Sequence, residues 1–218
     1  MATMLGFVCT DATVDQALLH RWSQTLADQS FNRISVDGDT STNDACLLVA
    51  TSAAAVEINS PEDPGASLLH DALLQVYQEL AQAIVRDGEG ATKFVEVQVQ
   101  GATSEQEARQ VAETVAHSPL VKTALFASDP NWGRILAAVG RSPVASLDVS
   151  RVAIWLGDVQ IVEAGGVAAG YQEQDGARVM AESEILIRID LGQGEASSAI
   201  WTCDFSYDYV RINAEYRT

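Results

Sequence analysis

Thr3 is the residue of this sequence most readily turned into a nucleophile. It follows Met1-Ala2 and precedes Met4-Leu5-Gly6-Phe7-Val8-Cys9-Thr10-Asp11. If the Ala2–Thr3 bond is cut, Thr3 becomes N-terminal, its hydroxyl a nucleophile and its own α-amine the adjacent base. An α-amine titrates near ~7.7–8.0, so a useful fraction is neutral at physiological pH. Such a residue needs no histidine. On these residues alone the simpler reading is an ordinary threonine at the head of a strand.

Four other places carry groups that could act on a ligand. Glu89 stands between Gly88 and Gly90, where the backbone can approach a ligand or another chain closely. A lone GxG is not a dinucleotide fingerprint, and a solvated loop acid is the plainer alternative. Asp37-Gly38-Asp39-Thr40-Ser41-Thr42-Asn43-Asp44 has the acid spacing that opens a calcium loop. It fails at the sixth position, Thr42, and at the twelfth, Leu48, and so predicts a turn held by its own side chains. Ser128-Asp129-Pro130-Asn131-Trp132-Gly133-Arg134 predicts a rigid turn with Asp129 or Asn131 capping a helix. In the terminal Val210–Thr218 stretch, Asn213 offers a donor and an acceptor, and Thr218 a hydroxyl and a carboxylate.

His20, His70 and His117 sit singly in helix-like stretches, away from any hydrolase motif. Cys9, Cys46 and Cys203 have no CxxC spacing, which leaves no zinc site or disulfide framework and suits a reducing cytoplasm. Net charge is −17, from 30 acids and 13 bases, which argues against a nucleic-acid partner. No apolar run is long enough to span a membrane, and the start lacks the basic lead of a signal peptide. With 47% hydrophobic and 20% charged residues, the 218-residue chain can bury a core of one large or two small domains.

The elements that must hold these groups read as a mixed α/β chain. Leu5, Phe7 and Val8 open a buried strand. Thr13-Val14-Asp15-Gln16 matches a capping box, with Val14, Leu18, Trp22 and Leu26 at a helical period. Phe31–Val36 reads as a strand, and Ala45–Thr51 as a strand covered on both faces. Leu69, Leu73, Val76, Leu80 and Ile84 form one helical stripe, ended near Gly88. Val95, Val97 and Val99 alternate with Glu96, Gln98 and Gln100 as a strand with one wet face. Ser104–Glu107 caps a helix through Ala108, Val111 and Val115, and Pro119–Ala127 reads as a further strand. Gly157-Asp158 predicts a hairpin, while Gly165, Gly166 and Gly170 predict a flexible connection. Glu184–Leu191, Ala199–Asp204 and Tyr207–Ile212 read as closing strands. A soft boundary near Phe94 gives domains 1–93 and 94–218.

Ala2-Thr3-Met4-Leu5, the Asp37–Asp44 loop, Asp129–Arg134 and Val210–Thr218 together resemble the β chain of the ornithine acetyltransferases, the bifunctional glutamate N-acetyltransferases of arginine biosynthesis. The resemblance runs from Thr3 to the last residue. It implies self-cleavage between Ala2 and Thr3, with Thr3 as nucleophile. It further implies Thr3, Glu89, Asn213 and Thr218 as substrate-binding residues, the chain end returning to the active site. The implied fold is an N-terminal-nucleophile-like half of an α/β heterodimer, with layered mixed sheets and outer helices. The implied reaction moves acetyl from N-acetylornithine to glutamate, with no metal or cofactor. Acetyl-CoA enters only as an optional second donor. The implied partner is an α chain bearing a Thr-Gly oxyanion hole, in an α2β2 heterotetramer. Two other readings stay open: an N-terminal-threonine amidase or aminopeptidase, and an inactive, unprocessed assembly half.

Overall fold

The structure, a computed structural model, describes residues 4–216. It divides into two compact units. Unit 1 takes the segments up to Ile34 and Gly38–Ile84; unit 2 takes Ser35–Asp37 and the chain from Val85 onward. The chain adopts the expected mixed α/β architecture of layered sheets with outer helices.

The first part of the chain runs β1 (Leu5–Thr10), β2 (Thr13–Val14), α1 (Gln16–Asp28), β3 (Ile34–Ser35), β4 (Ala45–Ala50), β5 (Glu57–Ile58) and α2 (Ala66–Arg86). Strands β1 and β4 pair in parallel from Leu5 opposite Ala45 to Thr10 opposite Ala50, and β2 pairs with β5. Period-2 alternation sends Val8 inward. It joins Leu18, Trp22 and Leu26 of α1, Phe31, Ile58, and Leu73, Tyr77 and Ala81 of α2 in one core. The opposite face is apolar and uncovered in this chain. Leu5 is 59% exposed, Phe7 62%, Leu47 51% and Val49 42%. The expected strands at Leu5–Val8 and Ala45–Thr51 are therefore present, but not buried on both faces, because the helices of unit 1 pack on one side only.

Local chemistry corrects three more expectations here. Thr13–Val14 is a strand, so the helix is capped not by Thr13 but by Asp15, whose Oδ1 accepts from the Leu18 amide at 3.0 Å. Phe31–Arg33 is a 3₁₀ turn, leaving only Ile34–Ser35 of the expected strand. The ring of Phe31 instead packs against Tyr77, centroids 5.4 Å apart. That aromatic contact also sets the rotation of α2. Its inward stripe is Leu69, Leu73, Tyr77, Ala81 and Ile84, while Val76 and Leu80 face outward.

The chain continues as β6 (Phe94–Ala102), α3 (Glu105–Ala116), α4 (Pro119–Phe126), α5 (Trp132–Gly140), β7 (Ala153–Leu156), β8 (Val159–Glu163), β9 (Gly166–Val167), α6 (Glu173–Met180), β10 (Glu184–Asp190), β11 (Ala196–Cys203) and α7 (Tyr207–Glu215). Among the described residues a seven-stranded sheet runs in the order β3-β11-β6-β10-β7-β8-β9. Central β6 is parallel to β10 and antiparallel to β11. Val95, Val97 and Val99, with Ile185, Ile187 and Ile189, form the middle of a core closed by α3 and α5. As expected, Ser104 caps α3, accepting from the Glu107 amide, and the hairpin at Gly157 joins β7 to β8.

Two expected strands are helices. In Pro119–Ala127, Ser118 accepts from the Val121 amide and Pro119 takes the first helical turn, where a missing N–H costs nothing. In Tyr207–Ile212, Ser206 accepts from the Tyr209 amide and starts α7, none of whose residues is buried. Ala164-Gly165 forms a tight hairpin turn and Gly166 opens β9, so this stretch is not a flexible connection. Ala164 and Gly165 both have positive φ, and a Cβ on Gly165 would strike the Val149 carbonyl. Among the described residues no helix is long and apolar enough to cross a membrane.

The core of unit 2 makes one quantitative demand. Ile187 is 0% exposed and lies between Val97 and Leu156 on its two neighbouring strands. Ile187→Ala is expected to cost about 2–5 kcal/mol. In urea unfolding this appears as a lower midpoint with an unchanged slope.

Candidate functional site

Thr3, Ala2 and Thr218, three of the residues singled out above, lie outside the described residues. Met4, which follows Thr3, is described. The amide of Met4, next to Thr3, donates to Asp44 Oδ1 at 2.8 Å, and its carbonyl accepts from the Ala45 amide at 2.9 Å. The last residue of the Asp37–Asp44 loop thus ties down the start of β1, giving that loop a structural role. Within it, Thr42 donates to Asn43 Oδ1 at 2.6 Å, and the Asn43 amide to Ser41 Oγ at 3.1 Å.

Glu89 and Asn213, far apart in sequence, meet in unit 2. Asn213 Nδ2 donates to Glu89 Oε2 at 2.8 Å and to the Tyr209 carbonyl at 2.9 Å. Both acceptors fix the orientation of the amide and occupy both of its N–H groups. The sequence suggested Asn213 as donor and acceptor alike; in this arrangement its donors are committed. Both side chains lie at the surface.

The backbone around Glu89 has little freedom. Gly90 has φ +67°, and a Cβ there would lie 2.5 Å from the Tyr209 amide nitrogen, so the loop touches the first turn of α7. Ser206 Oγ donates to the Gly90 carbonyl at 2.6 Å while accepting from Tyr209 N at 3.2 Å. Asp204, 1% exposed, accepts from Thr92 N and Lys93 N at 2.8 Å each, and from Thr92 Oγ1 at 2.7 Å. Tyr209 stacks on Phe205, centroids 4.5 Å apart, and donates its hydroxyl to Asp37 Oδ2 at 3.1 Å.

Two buried lysines back this arrangement. Lys122, 0% exposed, donates to Thr202 Oγ1 at 2.9 Å and to the Cys203 carbonyl, with its ammonium 4.6 Å from the Phe205 ring centroid. Burial lowers its affinity for a proton, opposed in part by Cys203, Asp204 and Asp37. Lys93 donates to Ser128 Oγ at 2.6 Å and to the Met180 carbonyl at the end of α6. Burial lowers its pKa too, with Asp204 opposing. Asp204, Ser206, Lys93 and Lys122 went unmarked in the sequence. Only Ser206 carried a local signal, as a serine three residues before a capped amide.

The Asp129–Arg134 motif serves the fold. Asn131 Oδ1 caps α5 through the Arg134 amide at 3.1 Å, and Asn131 Nδ2 donates to Asp129 at 3.0 Å. Arg134 reaches the Leu120 carbonyl at 2.9 Å. Beside it lies an open pocket of about 290 Å³ bounded by Asp129, Trp132, Tyr171 and Glu173.

Comparison with known proteins gives a consistent result. Residues 1–218 match the model of the ArgJ family. Two relatives named arginine biosynthesis bifunctional protein ArgJ, from Pseudomonas fluorescens (strain Pf0-1) and Psychrobacter arcticus, are each 58% identical over 219 residues. Each match takes in 100% of this chain but 54% of the relative, so the chain spans about half the length of these curated relatives. The crystal structure of arginine biosynthesis bifunctional protein ArgJ from Bacillus halodurans superposes with a TM-score of 0.94 at 40% identity. It covers 98% of this chain and 100% of the solved one.

The cap at Ser206 yields a direct expectation. Ser206→Ala removes the α7 cap and the bond to Gly90, and should lower stability by about 1–2 kcal/mol. Thermal unfolding of this chain should register it as a drop of roughly 2–8 °C.

Proposed function

The chain belongs to the ArgJ family, and from that premise we propose that it is the nucleophile-bearing part of an acetyltransferase of arginine biosynthesis. The reaction moves acetyl from N-acetylornithine to glutamate. Thr3 Oγ attacks the acetyl carbonyl while the Thr3 α-amine takes the hydroxyl proton. The tetrahedral intermediate collapses to acetyl-Thr3, and the proton passes to the departing amine of ornithine. The amine of glutamate then attacks the ester, N-acetylglutamate leaves, and the hydroxyl is restored. Glu89, Asn213 and Thr218 bind substrate. Residues 1–93 supply the nucleophile and residues 94–218 the C-terminal α/β domain of an N-terminal-nucleophile-like enzyme.

One observation carries this reading. Glu89 and Asn213, both assigned to the substrate by the family resemblance and 124 positions apart in sequence, have their side chains in direct contact at 2.8 Å. A carboxylate held this way suits an ammonium group, which both ornithine and glutamate bear.

The oxyanion donors belong to an α chain in this scheme. Such donors commonly contribute ~3 kcal/mol each, so the chain by itself is incomplete. The uncovered face of Leu5, Phe7, Leu47 and Val49 supports a partner chain there, because parallel strands are ordinarily covered on both sides. The comparisons support the same division: about half of the full-length relatives is matched, but the whole of the chain in the Bacillus halodurans structure. The assembly we propose is α2β2, in the cytoplasm.

The decisive assay is acetyl transfer by the complete, processed enzyme. With the α chain and a chain beginning at residue 3 supplied separately, so that no self-cleavage is needed, Thr3→Ala should abolish it and Thr3→Ser retain part; near-normal turnover by Thr3→Ala would remove Thr3 from the mechanism. Glu89→Gln should raise KM for N-acetylornithine far more than it lowers the melting temperature. Product analysis with and without glutamate separates a transferase from an amidase, which would hand the acetyl group to water. The double substitution Phe7→Ser, Leu47→Ser should abolish co-purification with the α chain while this chain keeps its own melting temperature.

A further inference from the structure

We propose that Asp204 is a positioning residue that sets the Glu89–Asn213 pair, an inference that rests on the substrate-binding role assigned to that pair. The last residues paired between β6 and β11 are Phe94 and Cys203. Beyond that point the ladder ends, and the two segments are joined through side chains. The side chain of Asp204 takes over. Its Oδ1 accepts the consecutive amides of Thr92 and Lys93, and its Oδ2 accepts the Thr92 hydroxyl. Ser206 next joins the Gly90 carbonyl, and Asn213 then joins Glu89. The three attachments form successive rungs between residues 89–93 and residues 204–213. The innermost is buried and charged; the outermost is exposed.

That order decides which rung governs the others. A charge-assisted hydrogen bond is roughly twice as strong as a neutral one, and a buried carboxylate that loses its donors is costly. The contact between Glu89 and Asn213 also ends on a carboxylate, but it lies at the surface, where solvent competes for both groups and little is gained by the bond. It holds its geometry because the loop beneath it is fixed at Asp204 and Gly90. The neighbouring Lys93 side chain does not replace that anchor: it reaches away to Ser128 and Met180. Releasing Asp204 should therefore displace Glu89 relative to Asn213 without touching substrate, nucleophile or oxyanion donors.

The test uses the complete, processed enzyme, with kinetics measured well below the lowest melting temperature. Asp204→Ala should raise KM for N-acetylornithine about tenfold with kcat changed less than about threefold, the pattern of lost substrate positioning. Thr92→Val removes only the hydroxyl donor and should raise KM about threefold. Asp204→Asn keeps an oxygen for both amides and should return KM to within about threefold of normal. Thr92→Val, which leaves the buried backbone intact, decides the matter if Asp204→Ala does not fold. Combined with Glu89→Gln, it should add no further rise in KM, since it acts through Glu89. Ile187→Ala, a core change of the same unit, should lower the melting temperature and leave KM alone. If it raises KM as much as Thr92→Val does, Asp204 contributes only stability and the proposal is overturned. If Glu89→Gln leaves KM unchanged, the assignment of the pair itself fails. A raised KM in Glu89→Gln with unaltered KM in the Asp204 and Thr92 variants sinks the positioning role alone.

Discussion

A carboxylate 1% exposed has to find its hydrogen-bond donors inside the protein, and Asp204 takes them from Thr92 and Lys93. Everything around the Glu89 loop follows from that requirement. The strands β6 and β11 end together, the loop before one is laced to the segment after the other, and α7 starts where Ser206 can serve both. Lys122 steadies the same corner from below through the Cys203 carbonyl and the Phe205 ring. Helix α7 buries none of its own residues. It is held instead by polar links at its first turn and by Tyr209, which stacks on Phe205 and reaches Asp37.

Unit 1 shows a different economy. Its core is complete on the inner side of β1 and β4, where Val8 meets two helices and the Phe31–Tyr77 pair. Its other side presents four large apolar side chains to the surface. A two-stranded sheet is marginal without cover, and a patch of this kind marks an interaction surface. The inner packing, not the sheet, gives the unit its own stability.

Much of the fold was legible in the sequence where the signal is local. The valines of β6, the Ser104 cap and the Gly157 hairpin each declare themselves within a few residues. The stretches at Pro119 and Tyr207 misled because their apolar and aromatic residues favour strands, whereas Ser118-Pro119 and Ser206 decide for helix by satisfying orphan amides. Period alone could not show that β1 and β4 are bare on one face, since an apolar pattern reads the same whether or not this chain covers it. At the site, Glu89 stood out by its flanking glycines, and Asn213 by its motif. Asp204 did not, because its partners lie up to 112 residues away. Only the pairing of β6 with β11 makes that distance local.

The parallel pairing of β6 and β10 also bears on how the chain reaches this structure. Gln100 and Asp190 lie opposite each other and are hydrogen-bonded at 2.8 Å, although they stand 90 positions apart in the sequence. No hairpin can bring such strands together. Closing that loop costs about 2 kcal/mol more entropy than closing one of roughly ten residues. The β7–β8–β9 meander, built on short turns, can form before the centre of the sheet that it extends. Contact order therefore places the pairing of β6 with β10 after the meander, and the valines and isoleucines of both strands are expected to stay open to solvent, and to other chains, until that pairing gathers them under α3 and α5.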